Sequence, residues 1–539
     1  MTPRSFASRP CRWFPVLMLM SMLWPRCAGA TQPEVTFIGI DLTHMTYYPE
    51  MHITESKVRR EMGKVIAGHG GVIDFATVQD VASRITAIYR GAGFVFTRAY
   101  VPQQRTRNGW VEVRLLEGWL SSIDILDNHL YSAELLQRPF ADLLGKVVYS
   151  PDMEEALALL NDYPGLNTFG FYSVGEAPGS TRLNLRVQRE RAWSGSLRID
   201  NYGSQLTGRG RALAEFESFN PSGAADRLRV AALQTVDPDN ATYGVVDYTR
   251  PVLDKRSHLA LRVSTDTFTV SRAAAPGQQI EFSGQAYSAS SEFTRYLRRS
   301  NAGNRSWHAG ITRNVSAIDV KDTAGTTFDQ KTWEAYVGFR FDRLDRHHNN
   351  SYGAGIDLVE GRYDAVDVEG QAAVYHYAHG YAAYNQAIAL GGTSQQWKFN
   401  LDWQYSGDVL PAVSQYALTG ATQMRGFLPD DFSADSGAVA TATWVFPAWT
   451  PFARKSGLRP ELTTSLFAEY GYGIQNVPSA GVDNDYGYMS DVGAEWELTL
   501  GPDLSATLTV AKPLSHYIDY RTDHVSAARA WIEMLWRFH

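Results

Sequence analysis

The chain has 539 residues, more than one typical domain, and 12% of them are aromatic while only 20% are charged. No apolar run approaches the ~18 residues of a transmembrane helix and the mean hydropathy is −0.27, so helical membrane spans are excluded. The formal net charge of −7 argues against nucleic acid as a partner, and a chain rich in Tyr, Trp and Gly has the β-barrel as its route into a membrane.

The first 30 residues predict an export signal. A basic region with three arginines precedes the short apolar stretch 13–24, and Ala28-Gly29-Ala30 is a cleavage motif, so we expect the mature chain to begin near Thr31. Cleavage removes four arginines and no acidic residue, which changes the formal charge from −7 to −11. The removed segment also contains both cysteines, Cys11 and Cys27. The mature chain is therefore predicted to have no disulfide and no thiolate metal site, in a Gram-negative cell envelope.

Two small α+β modules with the same element order, β-α-α-β-β, are predicted before residue 190. In the second helix of the first module, Val78, Val81, Ile85 and Ile88 recur at spacings of three and four, which gives one apolar face. The first module is predicted to have strands over 35–42, 94–102 and 110–116 and helices over 55–67 and 77–89. The second is predicted to have strands over 120–125, 169–174 and 181–188 and helices over 132–144 and 151–161.

From residue 191 onward, segments of about ten alternating residues recur between turns, which predicts a transmembrane barrel of about sixteen antiparallel strands. The clearest segment is 528–538, in which every second residue from Ala530 to Phe538 shares one face, most simply toward lipid. Five tryptophans are interpreted as interfacial girdle residues: Trp193, Trp403, Trp444, Trp531 and Trp536.

One connection, 415–437, is too long for a hairpin turn, and connections of this length are usually functional or disordered. Its centre is Arg425-Gly426-Phe427, where Gly426 is expected to adopt a positive φ and so direct the arginine. An arginine away from bulk water needs an acidic partner, and Glu469, between Phe467 and Gly471, is the candidate. Three alternatives stay open for this site: a gate, a scaffold for the barrel, or an ordinary solvated arginine. Phe427 is also compatible with a purely apolar contact.

Catalytic and cofactor motifs are not found in the sequence. It contains no Gly-x-Ser-x-Gly elbow and no His-Glu-x-x-His pair, and the glycine-rich stretch 208–211 lacks the lysine and helix of a phosphate loop. We therefore expect no catalytic residues, no metal, no cofactor and no enzymatic activity.

Short motifs in family order give the chain a specific resemblance. Segments 88–94, 99–104 and 117–118 resemble a ShlB-type POTRA domain, and 159–165 and 179–183 resemble the second POTRA domain of the same proteins. In the barrel, 199–204 resembles the opening hairpin, Met424-Arg425-Gly426-Phe427 resembles the (V/I)RG(Y/F) motif, and Phe467-Ala468-Glu469-Tyr470-Gly471 resembles FxDxG. The chain thus resembles the two-partner secretion transporters, the ShlB/FhaC/HecB or TpsB family of the POTRA–β-barrel superfamily.

The resemblance implies domain limits and an arrangement for the site. We expect a signal peptide over 1–30, POTRA domains over 31–121 and 122–190, and an outer-membrane barrel over 191–539 with a lumen-folding loop over 408–437. That loop is expected to join barrel strands eleven and twelve and to pair Arg425 with Glu469 on strand thirteen. Glu469 replaces the family's Asp, so the pair should persist with shifted geometry.

Two further departures concern the chain termini. The first predicted strand leaves no room for the plug helix of many members, so the loop at Arg425 is expected to be the only closure of the resting pore. The chain also ends on His539 instead of an aromatic residue, which is expected to weaken recognition by the assembly machinery.

The resemblance also implies a function. The protein is expected to recognise a partner exoprotein, a β-helical adhesin or haemolysin of the TpsA type, in the periplasm through its POTRA domains. It would export that partner unfolded through the outer membrane without ATP, with membrane lipid and the barrel assembly machinery as its other contacts. An insertase of the same superfamily and a passive porin remain as alternatives, although a porin leaves the POTRA modules unexplained.

Overall fold

A computed structural model describes residues 36–106, 108–275, 278–320, 327–365, 372–429, 431–450, 460–477, 483–519 and 527–539. The predicted signal segment, with Cys11 and Cys27, lies outside the described residues. The chain forms two compact units: residues up to 92 together with 98–116, and residues 93–97 together with 117–539.

The first unit is an α+β module in which two helices pack on short strands. The elements are β1 (Gly39–Asp41), α1 (Glu55–Gly68), α2 (Phe75–Gly91), β2 (Arg98–Tyr100), β3 (Trp110–Glu112) and β4 (Arg114–Leu116). Strand β1 pairs in parallel with β3, and β2 pairs antiparallel with β4. Helix α2 buries Val78, Val81 and Ile85 along one face, as their spacing predicts, and Asp74 caps its N-terminus by accepting the Thr77 N–H at 2.7 Å.

The second module belongs to the second unit and combines two helices with a three-stranded sheet. The elements are β5 (Trp119–Leu126), α3 (Ala133–Gln137), α4 (Ser150–Asn161), β6 (Leu166–Val174) and β7 (Ser180–Glu190), and the sheet order is β5-β7-β6. The helix predicted over 132–144 is instead the short α3, which tightens into a 3₁₀ helix over Arg138–Leu143. The reason is Pro139, which has no N–H to donate to the carbonyl four residues earlier. No helix in the described parts of the chain is long and apolar enough to cross a membrane.

Sixteen antiparallel strands form a closed barrel, which confirms the predicted fold and strand number. The first eight are β8 (Trp193–Asp200), β9 (Gly210–Phe219), β10 (Arg227–Asp237), β11 (Ala241–Pro251), β12 (Ser257–Ala275), β13 (Gln278–Arg298), β14 (Gly303–Val320) and β15 (Thr327–Asp345). The next three are β16 (Asn350–Tyr363), β17 (Val374–Leu390) and β18 (Thr393–Tyr405), after which come two short strands outside the barrel, β19 (Tyr416–Ala417) and β20 (Ser433–Ala434). The last five are β21 (Ser436–Val445), β22 (Pro460–Gln475), β23 (Asp485–Leu500), β24 (Leu504–Ile518) and β25 (Arg529–Phe538). Strand β25 pairs with β8, so that the sheet has no free edge.

Strand β25 shows how the alternating pattern divides the two faces of the barrel. Ile532, Met534 and Trp536 are about half exposed on the outer face, as predicted. Trp531 is 4% exposed and faces the lumen, so its interpretation as a girdle residue is wrong. The reason is the period of two, which puts Trp531 and Trp536 on opposite faces. The other four predicted girdle tryptophans, Trp193, Trp403, Trp444 and Trp536, lie on outward-facing positions.

An arginine on the outer face of β25 is expected to impair the barrel more than one on the inner face. Met534→Arg places a cation in the apolar belt, where its cost is about 2–4 kcal/mol, whereas Leu535→Arg directs the same side chain into the lumen. The folded fraction in membranes, read from the mobility of unheated protein in detergent gels, should fall for Met534→Arg and be largely kept for Leu535→Arg. Equal losses for both variants would contradict the assigned faces.

Candidate functional site

The connection between β18 and β21, described for residues 406–429 and 431–435, folds onto the inner wall of the barrel; we call it the lumen loop. It joins the eleventh and twelfth barrel strands, as predicted. Six of its apolar side chains are buried against inward-facing residues of the wall, so that the loop has a small hydrophobic core of its own. From the loop this core contains Tyr416, Leu418, Met424, Phe427, Phe432 and Ala434, and from the wall it contains Val439, Met489 and Ile518.

The structure brings Arg425 together with Glu469, which lies on the thirteenth barrel strand, β22. Arg425 Nη2 is 3.1 Å from Glu469 Oε1, and Nη1 is 3.3 Å from Glu495 Oε2 on β23. The guanidinium carbon lies 3.3 Å from the centroid of the Phe467 ring, which is a stacked cation–π contact. The side chains of Arg425 and Glu469 are 11% and 0% exposed, which excludes the solvated arginine among the alternatives.

The wall also binds the backbone of the loop tip. The N–H of Arg425 donates to Glu469 Oε2 and the N–H of Gly426 donates to Asp491 Oδ2, both at 2.8 Å. The two carbonyls accept in turn, that of Arg425 from Trp531 Nε1 at 2.7 Å and that of Gly426 from Arg529 Nε at 3.0 Å. The tip is therefore held by three strands, β22, β23 and β25, through its main chain as well as its side chain.

The expected positive φ at Gly426 is wrong, and the residue has a different reason to be glycine. The left-handed backbone occurs at Met424, with φ of 46°. A Cβ at position 426 would lie 2.9 Å from Asp491 Cβ and 3.0 Å from the Pro513 nitrogen, so only glycine lets the backbone reach the wall. Gly471 has a related role, because a Cβ there would lie 3.1 Å from Met424 Sδ.

The alternation of β22 explains the spacing of the second motif. Phe467, Glu469 and Gly471 are successive inward-facing residues, and they supply in turn the stacking ring, the carboxylate and the space for Met424. Phe427 is 1% exposed and packs edge-on against His516, with ring centroids 6.0 Å apart. Its place in the apolar core of the loop agrees with the apolar contact considered for it.

Four residues that contact the tip were missed by sequence reasoning, although β23 carries a signal for two of them. Asp491 and Glu495 are inward-facing acids on the strand beside Glu469, and Asp491 is its direct cross-strand partner. Inward-facing acids on strands adjacent to a predicted acid are the pattern that could have identified them. Trp531 and Arg529 have no comparable sequence signal, because no local pattern indicates that the last strand contacts the loop.

A second set of contacts fixes the base of the lumen loop. Asp435 is 1% exposed and accepts the N–H groups of Leu410 at 2.8 Å and Asn476 at 2.7 Å. Glu334 on β15 accepts the Ser414 hydroxyl at 2.5 Å and the Tyr375 hydroxyl at 2.9 Å. The loop therefore reaches from β15 and β17 at its base to β22, β23 and β25 at its tip.

Replacement of Arg425 by alanine is expected to release the tip. Glu469 would stay buried without its cation, and truncating one partner of a buried ion pair costs about 3–5 kcal/mol. Thr419, 5% exposed in the docked loop, gives a reporter. In a Thr419→Cys background a thiol reagent should react about 100-fold faster or more after Arg425→Ala, because the rate changes tenfold for about 1.4 kcal/mol. Arg425→Lys should give an intermediate rate, since lysine lacks the planar fork and the stacking. Unchanged labelling in Arg425→Ala would contradict the assigned contact.

Alanine is expected to act differently at the two glycines of the site. In Gly426→Ala the new Cβ would clash with Asp491 Cβ and the backbone nitrogen of Pro513, neither of which can move without shifting the main chain. The tip should therefore detach from the wall, and the reporter thiol of the Thr419→Cys background should become reactive. Gly471→Ala meets the end of the flexible Met424 side chain, so labelling should stay close to that of the parent. The reverse order of effects would show that the loop does not dock with the geometry described.

Comparison with known proteins places this site in a family. Residues 179–476 match the family described as haemolysin secretion/activation protein ShlB/FhaC/HecB, and residues 60–118 match the ShlB-type POTRA domain. The heme/hemopexin transporter protein HuxB of Haemophilus influenzae is 22% identical over 503 residues, which covers 89% of this chain and 84% of HuxB. The hemolysin transporter protein ShlB of Serratia marcescens is 22% identical over 434 residues, which covers 76% of this chain and 70% of that protein.

Solved structures agree on the fold. CdiB from Escherichia coli superposes with a TM-score of 0.76 at 17% identity, covering 96% of this chain and 93% of CdiB. CdiB from Acinetobacter baumannii gives 0.66 at 16% identity over 94% of this chain and 90% of that one. Since the family match extends over more than half of the chain, the protein belongs to the ShlB/FhaC/HecB family of haemolysin secretion/activation proteins, the two-partner secretion transporters of the Gram-negative outer membrane.

Proposed function

We propose that this protein exports one partner exoprotein, unfolded and without ATP, and that movement of the lumen loop opens the passage. The observation that carries the proposal is the attachment of Arg425, an ion pair with Glu469 held among inward-facing groups of three strands. Such an attachment is specific yet reversible, because both partners regain hydration when they separate. The protein lies in the outer membrane with its POTRA domains in the periplasm.

The periplasmic step is proposed to be strand addition. Strand β6 is at the edge of its sheet, and its side chains Phe169, Phe171 and Val174 are exposed. An unpaired strand edge with exposed apolar side chains binds extended polypeptide through main-chain hydrogen bonds. This mode of recognition needs an unfolded partner and no nucleotide, which supports export driven by the folding of the exoprotein outside the cell.

The second POTRA module is fastened to the periplasmic turns of the barrel, which supports delivery of the partner to the pore. Three cationic side chains of these turns bind acids of the module. They are Lys255 with Asp142 at 2.6 Å, Arg256 with Glu155 at 2.6 Å, and Arg299 with both carboxylate oxygens of Asp162 at 2.7 and 2.8 Å. A cavity of about 790 Å³ lies beside the last pair, lined by Tyr163 of the module and by Arg227 and His258 of the barrel.

The remaining assignments are part of the same proposal. The proposal includes the domain limits expected from the sequence, contact of the outer barrel surface with lipid, and insertion of the protein by the barrel assembly machinery. It also includes the absence of nucleic acid among the partners and the absence of enzymatic activity. The expectation of a secreted partner protein rests on relatives that are transporters of the same family.

A strain that lacks this gene should lose one large exocellular protein, and the complementing allele tests the role of the loop. Wild type and Thr422→Ala, a change at an exposed position three residues from the arginine, should restore that protein. Arg425→Ala should restore less than about a tenth of it, since each 1.4 kcal/mol lost at the tip lowers the ratio of attached to detached loop about tenfold. The measurement is a comparison of secreted and outer-membrane proteomes.

The outcomes separate the candidate functions. Full restoration by Arg425→Ala would remove the loop from the mechanism. Depletion of many other barrel proteins in the deletion strain would favour the insertase, and no change in either proteome would favour a passive channel.

A further inference from the structure

The inner wall of β8 to β12, together with the neighbouring part of β25, carries a row of ion-paired side chains that the lumen loop does not use for its attachment. We call this row the charge ladder. Its members are Arg198, Asp200, Arg211, Glu215, Glu217, Arg227, Arg229, Asp247, Arg262 and Glu533. Five arginines and five acids make the ladder electrically balanced.

The centre of the ladder is a run of four side chains across four strands. Arg229 donates to Glu215 Oε2 at 2.5 Å and to Asp247 Oδ2 at 2.7 Å, and Asp247 Oδ1 accepts from Arg262 Nε at 2.5 Å. Each charge therefore has an opposite charge on an adjacent strand. Both arms of the Arg229 fork are occupied, so this residue has little capacity to bind another carboxylate.

Two further groups extend the ladder. Asp200 is 3.0 Å from Arg198 Nε and accepts from Arg211 Nε at 2.7 Å, while Glu533 lies 3.9 Å from Arg198. Arg227 and Glu217 form a pair at 3.6 Å. The same alternation of sign thus continues toward both ends of the wall.

These side chains face the lumen and are reachable from it. Their sequence neighbours Ile199, Phe216, Val230 and Val246 are exposed on the outer face of the barrel, which places the charged residues on the inner face. Arg229 and Glu215 are 26% and 25% exposed. The ladder is therefore a surface that a polypeptide in the lumen would contact.

The pairing of its charges determines which segments of a passing polypeptide such a surface would bind. A free arginine binds carboxylates with two parallel hydrogen bonds and would retain acidic segments, and a free acid would retain basic ones. A paired ladder still offers polar groups to the amides of an extended chain, and its balanced charge gives no preference for either sign. By contrast, the wall at the loop tip presents three acids, Glu469, Asp491 and Glu495, and one arginine, Arg529, to Arg425-Gly426 of the loop.

We propose that the charge ladder is the surface along which the exported polypeptide moves, and that its internal pairing makes the passage indifferent to the sign of the charges on that polypeptide. This inference rests on the proposed function and adds the path and the class of cargo: an extended chain of mixed charge. A role limited to tying strands together predicts normal export of the partner by variants in which the pairing is removed.

The test measures the charge preference of the wall directly. Ser264 lies two residues beyond Arg262 on the same face of β12, and Ser264→Cys gives a reporter in a mature chain predicted to lack cysteine. Full-length protein in outer-membrane vesicles is treated with an anionic sulfonate and a cationic trimethylammonium methanethiosulfonate. The ratio of the two rates with the intact ladder is the reference, because Asp266, two residues beyond the reporter on the same face, is common to the parent and to every variant. In Glu215→Gln/Asp247→Asn the anionic reagent should gain about tenfold, because Arg229 and Arg262 lose their partners.

A matched control and a reciprocal variant complete the experiment. Glu360→Gln/Asp483→Asn also removes two negative charges, at exposed positions outside the ladder, and should leave the ratio unchanged. Arg229→Gln/Arg262→Gln should shift it about tenfold toward the cationic reagent, and this variant serves if the first does not fold. Gel mobility of unheated protein reports folding for each.

The labelling uses no exoprotein, so its outcome is independent of the proposed function. An unchanged ratio in both folded ladder variants, or a strong preference of the parent for the anionic reagent, would overturn the inference even if export were established. Shifted ratios combined with normal export of the partner by both variants would also overturn it, because the cargo would then not meet the ladder.

Discussion

The arrangement of the lumen depends on one buried interaction, the guanidinium of Arg425 between the Glu469 carboxylate and the Phe467 ring. A charge removed from water must be matched closely, and here the match includes a second acid, Glu495, at 3.3 Å. The main-chain hydrogen bonds to Asp491 and Trp531 also fix the orientation of the loop tip on the wall. Without the ion pair, only the main-chain hydrogen bonds and the apolar core of the loop would hold the tip on the wall.

This attachment divides the inner wall into two regions with different chemistry. The strands that hold the loop present three acids, Glu469, Asp491 and Glu495, against Arg529, whereas the charge ladder presents arginines and acids in balanced pairs. Side chains of opposite sign on adjacent strands stabilise a sheet wherever they occur. The two regions differ in the net charge that they present to a polypeptide in the lumen, because the number of acids around each arginine differs.

The periplasmic side shows the same use of ion pairs for position. Arg299 binds both oxygens of Asp162, and Lys255 and Arg256 bind two further acids of the second module. Bidentate and paired contacts fix orientation more than they add stability. The second module is thus held beside the pore, and β6 remains an edge strand of its sheet.

The amino-acid sequence by itself determined the classes of structure. Its period of two predicted the sixteen-strand barrel and the outer face of β25, and its spacing of apolar residues predicted α2, because these patterns reflect contact with lipid or core at every second or third residue. It also predicted the pairing of Arg425 with Glu469, because an arginine away from water needs an acidic partner and because both short motifs resemble those of the family.

Only the tertiary structure decided the rest of the site. Asp491, Arg529 and Trp531 meet the tip because closure of the barrel brings β23 and β25 to the strand of Glu469, and no local pattern encodes that meeting. The same holds for Gly426, whose φ is ordinary and whose need for glycine arises from Asp491 and Pro513, residues far away in the chain. Periodicity fixes which face a side chain occupies, whereas its partners are set by the register of strands distant in sequence.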